Sequence, residues 1–464
     1  MRTPACVRTA ASLASFGDSQ SGAMAKIDVV PSTRPAFTPD DTRYWDARDL
    51  ESEMRRVFEI CHNCRMCVGY CGTFPDVFAR VDRDIEGRGA TGAELLDAEA
   101  FEAATELCWQ CKLCYIKCPY TADEKHAWLV DVPRLLAREK AQRARRNGIT
   151  LQDRVLGEPQ ALGKLTAGPA AGIANFVNAN RLVRKTMEKV AGIAADFPVP
   201  TFGSTSFAKW LAHHEPLPSA GARGTIAIFA TCLADYNFPQ IAVSATRVLE
   251  KNGWAVVRPE QTCCGMPNID GGDVEAARSK AALNVAALER EVAAGRKIVS
   301  LQPTCGYMIR KEWPELLGTD EARRVAAATV DVMELLEQQR RDGSLSRDFT
   351  IGLGRVAYHA ACHLRAQKIG YPGSRVLGVI PDTDVEMVEQ CSAVDGTWGM
   401  KAQHYEMGRR YAQKMVRAID AREPELVVTD CALSDRRILA ENHRQALHPI
   451  EALAKAYGVT PEVG

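Results

Sequence analysis

The sequence predicts a multidomain α plus α/β protein, a helical N-terminal domain followed by two related α/β lobes. The chain has 464 residues, enough for about three domains at roughly 150 residues each. Two cysteine groups between Cys61 and Cys118 are each led in by a helical pattern. Beyond residue 221, short β-branched runs alternate with long helical ones, the pattern of parallel sheet covered on both faces.

Residues 1–44 read as a flexible tail. They are rich in Ala, Ser, Arg and Thr as far as Ala23, Met24 offers a second start, and Cys6 stands there alone. From Trp45 to Ile60 the spacing places Leu50, Met54, Val57 and Phe58 on one helical face that delivers Cys61. The run LLDAEAFEAATEL delivers Cys108 in the same way, so residues 45–148 are expected to form one domain. It closes on a helix whose basic cluster, Arg134 to Arg146, is expected to be a solvated face. Residues 149–221 read as a helical linker. Its apolar positions Ile173, Phe176, Val177, Leu182, Val183 and Met187 are expected to pack on the chain's own domains, the alternatives being a membrane surface or a partner subunit. The lobes are expected at 222–345 and 346–464, with strands at TIAIFA, WAVV, KIVSL, RVAYHA, DVEMV and ELVVT.

Composition narrows the function. Lys plus Arg equals Asp plus Glu at 58 each, which removes the basic field that nucleic acid would require, so nucleic acid is not an expected partner. The sixteen cysteines crowd at two-residue intervals, which suits metal ligands in a reducing compartment better than disulfides. No stretch of eighteen apolar residues occurs, so no transmembrane helix is expected. The expected location is the cytoplasm, either free or peripheral on the inner membrane face.

The chemistry lies in the cysteine spacing. The first group is Cys61-x-x-Cys64-x-x-Cys67-x-x-x-Cys71, and the second is Cys108-x-x-Cys111-x-x-Cys114-x-x-x-Cys118-Pro119. This is two-cluster ferredoxin spacing, in which three cysteines of one loop reach three irons and the fourth crosses to the other cluster. The expected cofactors are therefore two [4Fe-4S] clusters, one on Cys61, Cys64, Cys67 and Cys118 and the other on Cys108, Cys111, Cys114 and Cys71. Zinc knuckles use paired cysteines without the third and fourth, and fit poorly. Gly72 stands where a proline usually follows the fourth cysteine.

In the C-terminal half, Cys232, Cys263 and Cys305 recur as Cys362, Cys391 and Cys431 at offsets of 130, 128 and 126, each beyond a predicted strand, where open α/β sheets bind ligands. With Cys264 the first lobe offers four thiols, enough for a third cluster or zinc. The second offers Cys362, Cys391 and Cys431 as a weaker set, with Ser392 in place of the adjacent cysteine. These cysteines are expected to gather near the lobe interface. Cys263, Cys264, Cys391 and His363 are the catalytic candidates, whereas His359 reads as a core histidine. Gly352-x-Gly354-x-x-Ala357 precedes a strand and is no dinucleotide fingerprint. With no flavin or nicotinamide motif, the chain is not expected to oxidise an organic substrate itself.

The doubled ferredoxin motif followed by TCLADYN, QTCCGMPN, PTCGYMIRKEWPE, YHAACHLR, DGTWGMK and TDC resembles a family. It comprises the iron-sulfur subunit of anaerobic glycerol-3-phosphate dehydrogenase, the glycolate oxidase iron-sulfur subunit and the cysteine-rich subunit of heterodisulfide reductase. The resemblance runs from about residue 45 to the end. It implies cysteine-rich CCG domains in the C-terminal half and an electron-transfer role, with a flavoprotein dehydrogenase as donor and a quinone as acceptor. The family's closing C-x-x-C appears here as Cys305 with Met308 and as Cys431 with Ser434. The CSAVDGTWG segment is similar to a branch associated with rubrerythrin-type systems. The competing reading is a thiol-disulfide reductase in which Cys263, Cys264 or Cys391 attacks a disulfide.

Overall fold

The computed structural model describes residues 35–394 and 396–460. Cys6 and most of the expected tail lie outside them. The part of that tail within them is packed: Ala36 and Tyr44 are buried in one cluster with Ala141 of the helix that closes the first domain.

That domain is helical. Helix α1 (Ala47–Cys64) starts at Asp46, whose carboxylate accepts from the backbone N–H of Arg48 and Asp49. It buries Leu50, Met54, Val57 and Phe58. Helices α2 (Thr73–Arg88), α3 (Ala98–Glu106), the short α4 (Leu113–Lys117) and α5 (Val132–Asn147) complete the domain around one core. The basic cluster of α5 is only in part the solvated face its composition suggests: Arg145 and Arg146 are exposed, but the basic residues before them are not. Arg138 is wholly buried, donating to the carbonyls of Tyr44 (2.9 Å) and Arg43 and to Asp49 (2.8 Å). Arg134 donates to the Lys311 carbonyl (2.8 Å) and pairs with Glu312 of the first lobe. Orphan backbone carbonyls and acids supplied by other segments turn these arginines inward, which no helical periodicity could reveal.

The linker forms α6 (Leu151–Leu156), α7 (Pro159–Thr166), α8 (Ala171–Ala179) and α9 (Arg181–Ala191). Only part of its apolar face is covered by the chain's own domains, Val183 and Met187 being half-buried. Ile173 is 73% exposed, Phe176 75% and Leu182 76%.

Two parallel sheets make up the rest. Strands β1 (Gly224–Phe229), β2 (Trp254–Val257), β3 (Ile298–Ser300) and β4 (Thr329–Asp331) lie in the order β2-β1-β3-β4. Strands β5 (Gly354–His359), β6 (Thr383–Val388) and β7 (Leu426–Thr429) lie in the order β6-β5-β7. The first three strands of each lobe thus repeat one topology, strand two beside strand one and strand three on its other side. The lobes share a core in which Ile226, Val299, Val356, Tyr358 and Val428 meet under the helix at Pro449–Ala456.

Candidate iron-sulfur and thiol sites

The two N-terminal cysteine groups are built alike. Cys61 and Cys64 sit on the last turn of α1, which stops because Arg65 turns left-handed (φ 51°) and donates its N–H to the Cys61 carbonyl. In the second group Lys112, which likewise follows the second cysteine, is also left-handed (φ 63°), as is Gln110 (φ 54°). Such conformations are unfavourable for residues with a Cβ and persist where the surroundings fix them; here they fold each C-x-x-C-x-x-C run back on itself.

The structure divides the eight thiols four and four. Cys61, Cys64, Cys67 and Cys118 line one hollow, walled by Ile60, Phe78 and Val130. Cys71, Cys108, Cys111 and Cys114 line the other, walled by Trp109, Val132 and Leu136. Phe74 borders both. Burial, then the neighbouring Cys118, Cys67 and Cys64, push the Cys61 thiol well up. Cys67 is pushed to about 12, again by burial first and then by Cys118 and Cys64. Four mutually repelling sulfurs in a dry hollow need cationic charge to ionise together, and a cluster's irons supply it. The donor set fits an iron-sulfur cluster in each hollow.

The C-terminal cysteines do not gather in one place. Cys232, Cys263, Cys264 and Cys305 form a chain of interacting thiols, and Cys431 of the second lobe joins them around one cavity. Cys263 is held well on the thiolate side, because the Cys232 and Cys264 thiols donate to it. Cys362 and Cys391 instead pack against the N-terminal domain and help raise the Cys111 thiol, after burial itself. The serines in the second lobe have paired with each other. Ser392 and Ser434, where the resemblance puts cysteines, are buried and share a 2.9 Å hydrogen bond.

Both histidines are buried. His359 bridges Thr429 Oγ1 (2.9 Å) and the Gln390 carbonyl (3.1 Å) within its own lobe. His363 faces the Gln110 carbonyl with Nε2 (3.2 Å) and Thr304 Oγ1 with Nδ1 (2.9 Å). A carbonyl only accepts, so Nε2 carries the proton and Nδ1 accepts from Thr304. Burial lowers His363 to about 4, keeping it neutral. The second hollow, where Gln110 lies, and the thiol cavity, which Thr304 lines, are thus two hydrogen bonds apart. Trp398, inside the DGTWGMK motif, ties lobe to domain: Nε1 donates to the Glu106 carbonyl (2.8 Å) and its ring meets Trp109 edge-on at 4.9 Å. Nothing in the local spacing singles this tryptophan out, because both of its partners lie in the other domain.

Comparison with known proteins agrees with this architecture. Residues 54–146 match the Citrate utilization protein B Fer4-like domain, and residues 226–310 and 356–433 match the Cysteine-rich domain, CCG. A subunit of the anaerobic glycerol-3-phosphate dehydrogenase of Escherichia coli K12 is 26% identical over 319 residues, 66% of this chain and 77% of that protein. The glycolate oxidase iron-sulfur subunit of the same strain is 23% identical over 425 residues, 89% of this chain and 96% of that one. This chain is homologous to these iron-sulfur subunits. A third relative, from the fumarate reductase (CoM/CoB) of Methanothermobacter marburgensis, is 26% identical over 231 residues, 49% of this chain and 44% of that protein. The chain is an iron-sulfur electron-transfer subunit that works with a redox partner. The named relatives favour that role over a thiol-disulfide reductase. Among the described residues no helix is long and apolar enough to cross a membrane.

Proposed function

We propose that the chain relays electrons from a flavoprotein dehydrogenase, through two [4Fe-4S] clusters, to the cysteine-rich domain and on to a quinone. In this reading Cys61, Cys64, Cys67 and Cys118 hold one cluster, and Cys71, Cys108, Cys111 and Cys114 hold the other. The observation that carries it is the four-and-four division of the thiols, in which Cys71 and Cys118 each leave their own group for the opposite hollow. The clusters supply one-electron redox capacity when bound; the chain's own residues hold them, shield them from water and fix the His363 link toward the thiol cavity.

Iron analysis and EPR test this reading. Anaerobically purified protein should hold at least about eight irons per chain. Cys118→Ser should abolish the signal that Cys61→Ser also abolishes and spare the one lost in Cys111→Ser. Loss of the Cys111-dependent signal instead would overturn the crossed assignment.

The same reading puts the chain against a membrane. Exposed Leu165, Ile173, Phe176 and Leu182 on α7–α9 stand among exposed Lys164, Arg181, Lys185 and Lys189, the mixture that suits an anionic bilayer surface. The full chain should float with phosphatidylglycerol vesicles but not with phosphatidylcholine alone, and Phe176→Asp combined with Leu182→Asp should remain in solution.

A further inference from the structure

A cavity of about 480 Å³ lies between the linker helices and the two lobes, within the range of roughly 300–1,000 Å³ typical of small-molecule sites. One side is apolar, formed by residues such as Leu162, Ala174, Val177 and Met187 of α7–α9. The opposite side is the five-thiol group of Cys232, Cys263, Cys264, Cys305 and Cys431.

Two polar groups on this lining lack partners among the described residues. Gln302 is 3% exposed; its Oε1 accepts from the Ala432 N–H, while its buried Nε2 has no acceptor. Asp270 Oδ1 is likewise buried without a donor, and Asp270 is the single carboxylic acid among the residues lining the cavity. An unmet buried polar group costs about 1–3 kcal/mol, so native interiors rarely keep one without a ligand or water to meet it.

We propose that this cavity is the binding site for a lipid-soluble quinone, whose ring lies against the apolar wall and whose oxygens are met by Gln302 Nε2 and the Asp270 carboxyl. The assignment rests on the quinone-acceptor reading above and adds where the acceptor sits. A charged or highly hydrated ligand would lose its water against the α7–α9 wall without compensation. A flat ring with two opposed oxygens asks only for apolar contact and the few hydrogen-bonding groups present. Burial raises Asp270 to about 6, against the pull of Lys112, Lys140 and Lys401 and with a push from Asp153. Its protonated carboxyl can then donate to a quinone oxygen in mildly acidic solution. The helices of the apolar wall are also those with the exposed apolar side chains, so a ligand dissolved in a bilayer meets this side of the molecule first.

The test uses the full, cluster-loaded chain and menadione as the probe, with binding measured by equilibrium dialysis in the oxidised state. Ala174→Trp, which fills the cavity from an exposed helix without touching a thiol, should weaken binding at least tenfold. Gln302→Leu should weaken it about threefold to tenfold, the value of one hydrogen bond. An azido-naphthoquinone photolabel should mark peptides within residues 155–202, 231–305 or 396–433. Iron content and melting temperature of each variant, matched to the parent, show that folding is intact. Unchanged affinity in Ala174→Trp, or labelling confined to other peptides, would overturn the site. If menadione binds as expected but fails to reoxidise the dithionite-reduced protein, the site stands and the quinone-acceptor reading falls.

Discussion

The two C-terminal lobes share a strand order and a set of repeated cysteine positions, yet they use them differently. The first lobe keeps its adjacent pair, Cys263 and Cys264, inside a chain of four interacting thiols. The second has replaced the equivalent adjacent position with Ser392, bonded to Ser434, and turns Cys362 and Cys391 toward the second N-terminal hollow. One copy gathers its thiols around a pocket; the other fastens that pocket to the domain with the ferredoxin-type cysteines. A duplicated fold can keep its topology, which rests on backbone pairing and core packing, while the residues at its strand ends diverge.

The sharpest way to break this comparison uses a pair of tryptophans. Trp313 in the first lobe is wholly buried and donates to the Cys264 carbonyl (2.9 Å), whereas Trp398 in the second donates to the Glu106 carbonyl beside the second cysteine group. Each tryptophan-to-alanine change should cost about 3–5 kcal/mol. Only Trp398→Ala should alter the EPR signal that depends on Cys111; equal spectral effects from both would show that the lobes do not divide the work.

The seam between the lobes gives the next largest effect. Asp331 ends β4 in one lobe, Asp430 follows β7 in the other, and Tyr358 donates to Asp430. Burial lifts both carboxyls to about 7, with the charge of Asp430 adding to the rise at Asp331. A carboxyl raised on folding stabilises the fold fully below its unfolded value, about 3.9. That contribution disappears as the pH climbs toward 7, because the folded state must then hold a buried charge. Asp331→Asn should therefore raise the melting temperature at pH 8, by the equivalent of a few kcal/mol at about 1.4 per pH unit, and leave it unchanged at pH 4. A gain of the same size at pH 4 would refute the titration.

The smallest effect concerns the serines. Ser392→Ala or Ser434→Ala alone leaves one buried hydroxyl unmet and should cost about 1–3 kcal/mol, while the double change should cost less than the two singles added. Strict additivity in denaturant melts would mean that the pair is not coupled, and that the second lobe has not exchanged its thiols for a hydrogen bond.

Much of the molecule is legible in the residues themselves. The α1 face, six of the seven strands among the described residues and the two ferredoxin-type cysteine groups are local patterns, set by side-chain periodicity and by spacings of two or three residues, and each appears in the structure at the expected place. The three-residue strand Thr329–Asp331 escapes such a reading because it is too short to establish a period. The N-terminal thiols are legible as two sets because the crossing of the fourth cysteine is a property of the motif. The burial of Arg138, the exposure of Phe176 and Leu182, and the separation of Cys362 and Cys391 from Cys431 are not legible. Each depends on groups far away in sequence: the Tyr44 carbonyl for Arg138, uncovered space beside the linker helices, and the approach of Cys111 to the second lobe. By itself the sequence determined which residues are candidates for thiolate ligation, since such ligation demands a fixed local spacing. Only the tertiary structure decided which of them share a cavity, since burial and long-range packing are properties of the whole chain.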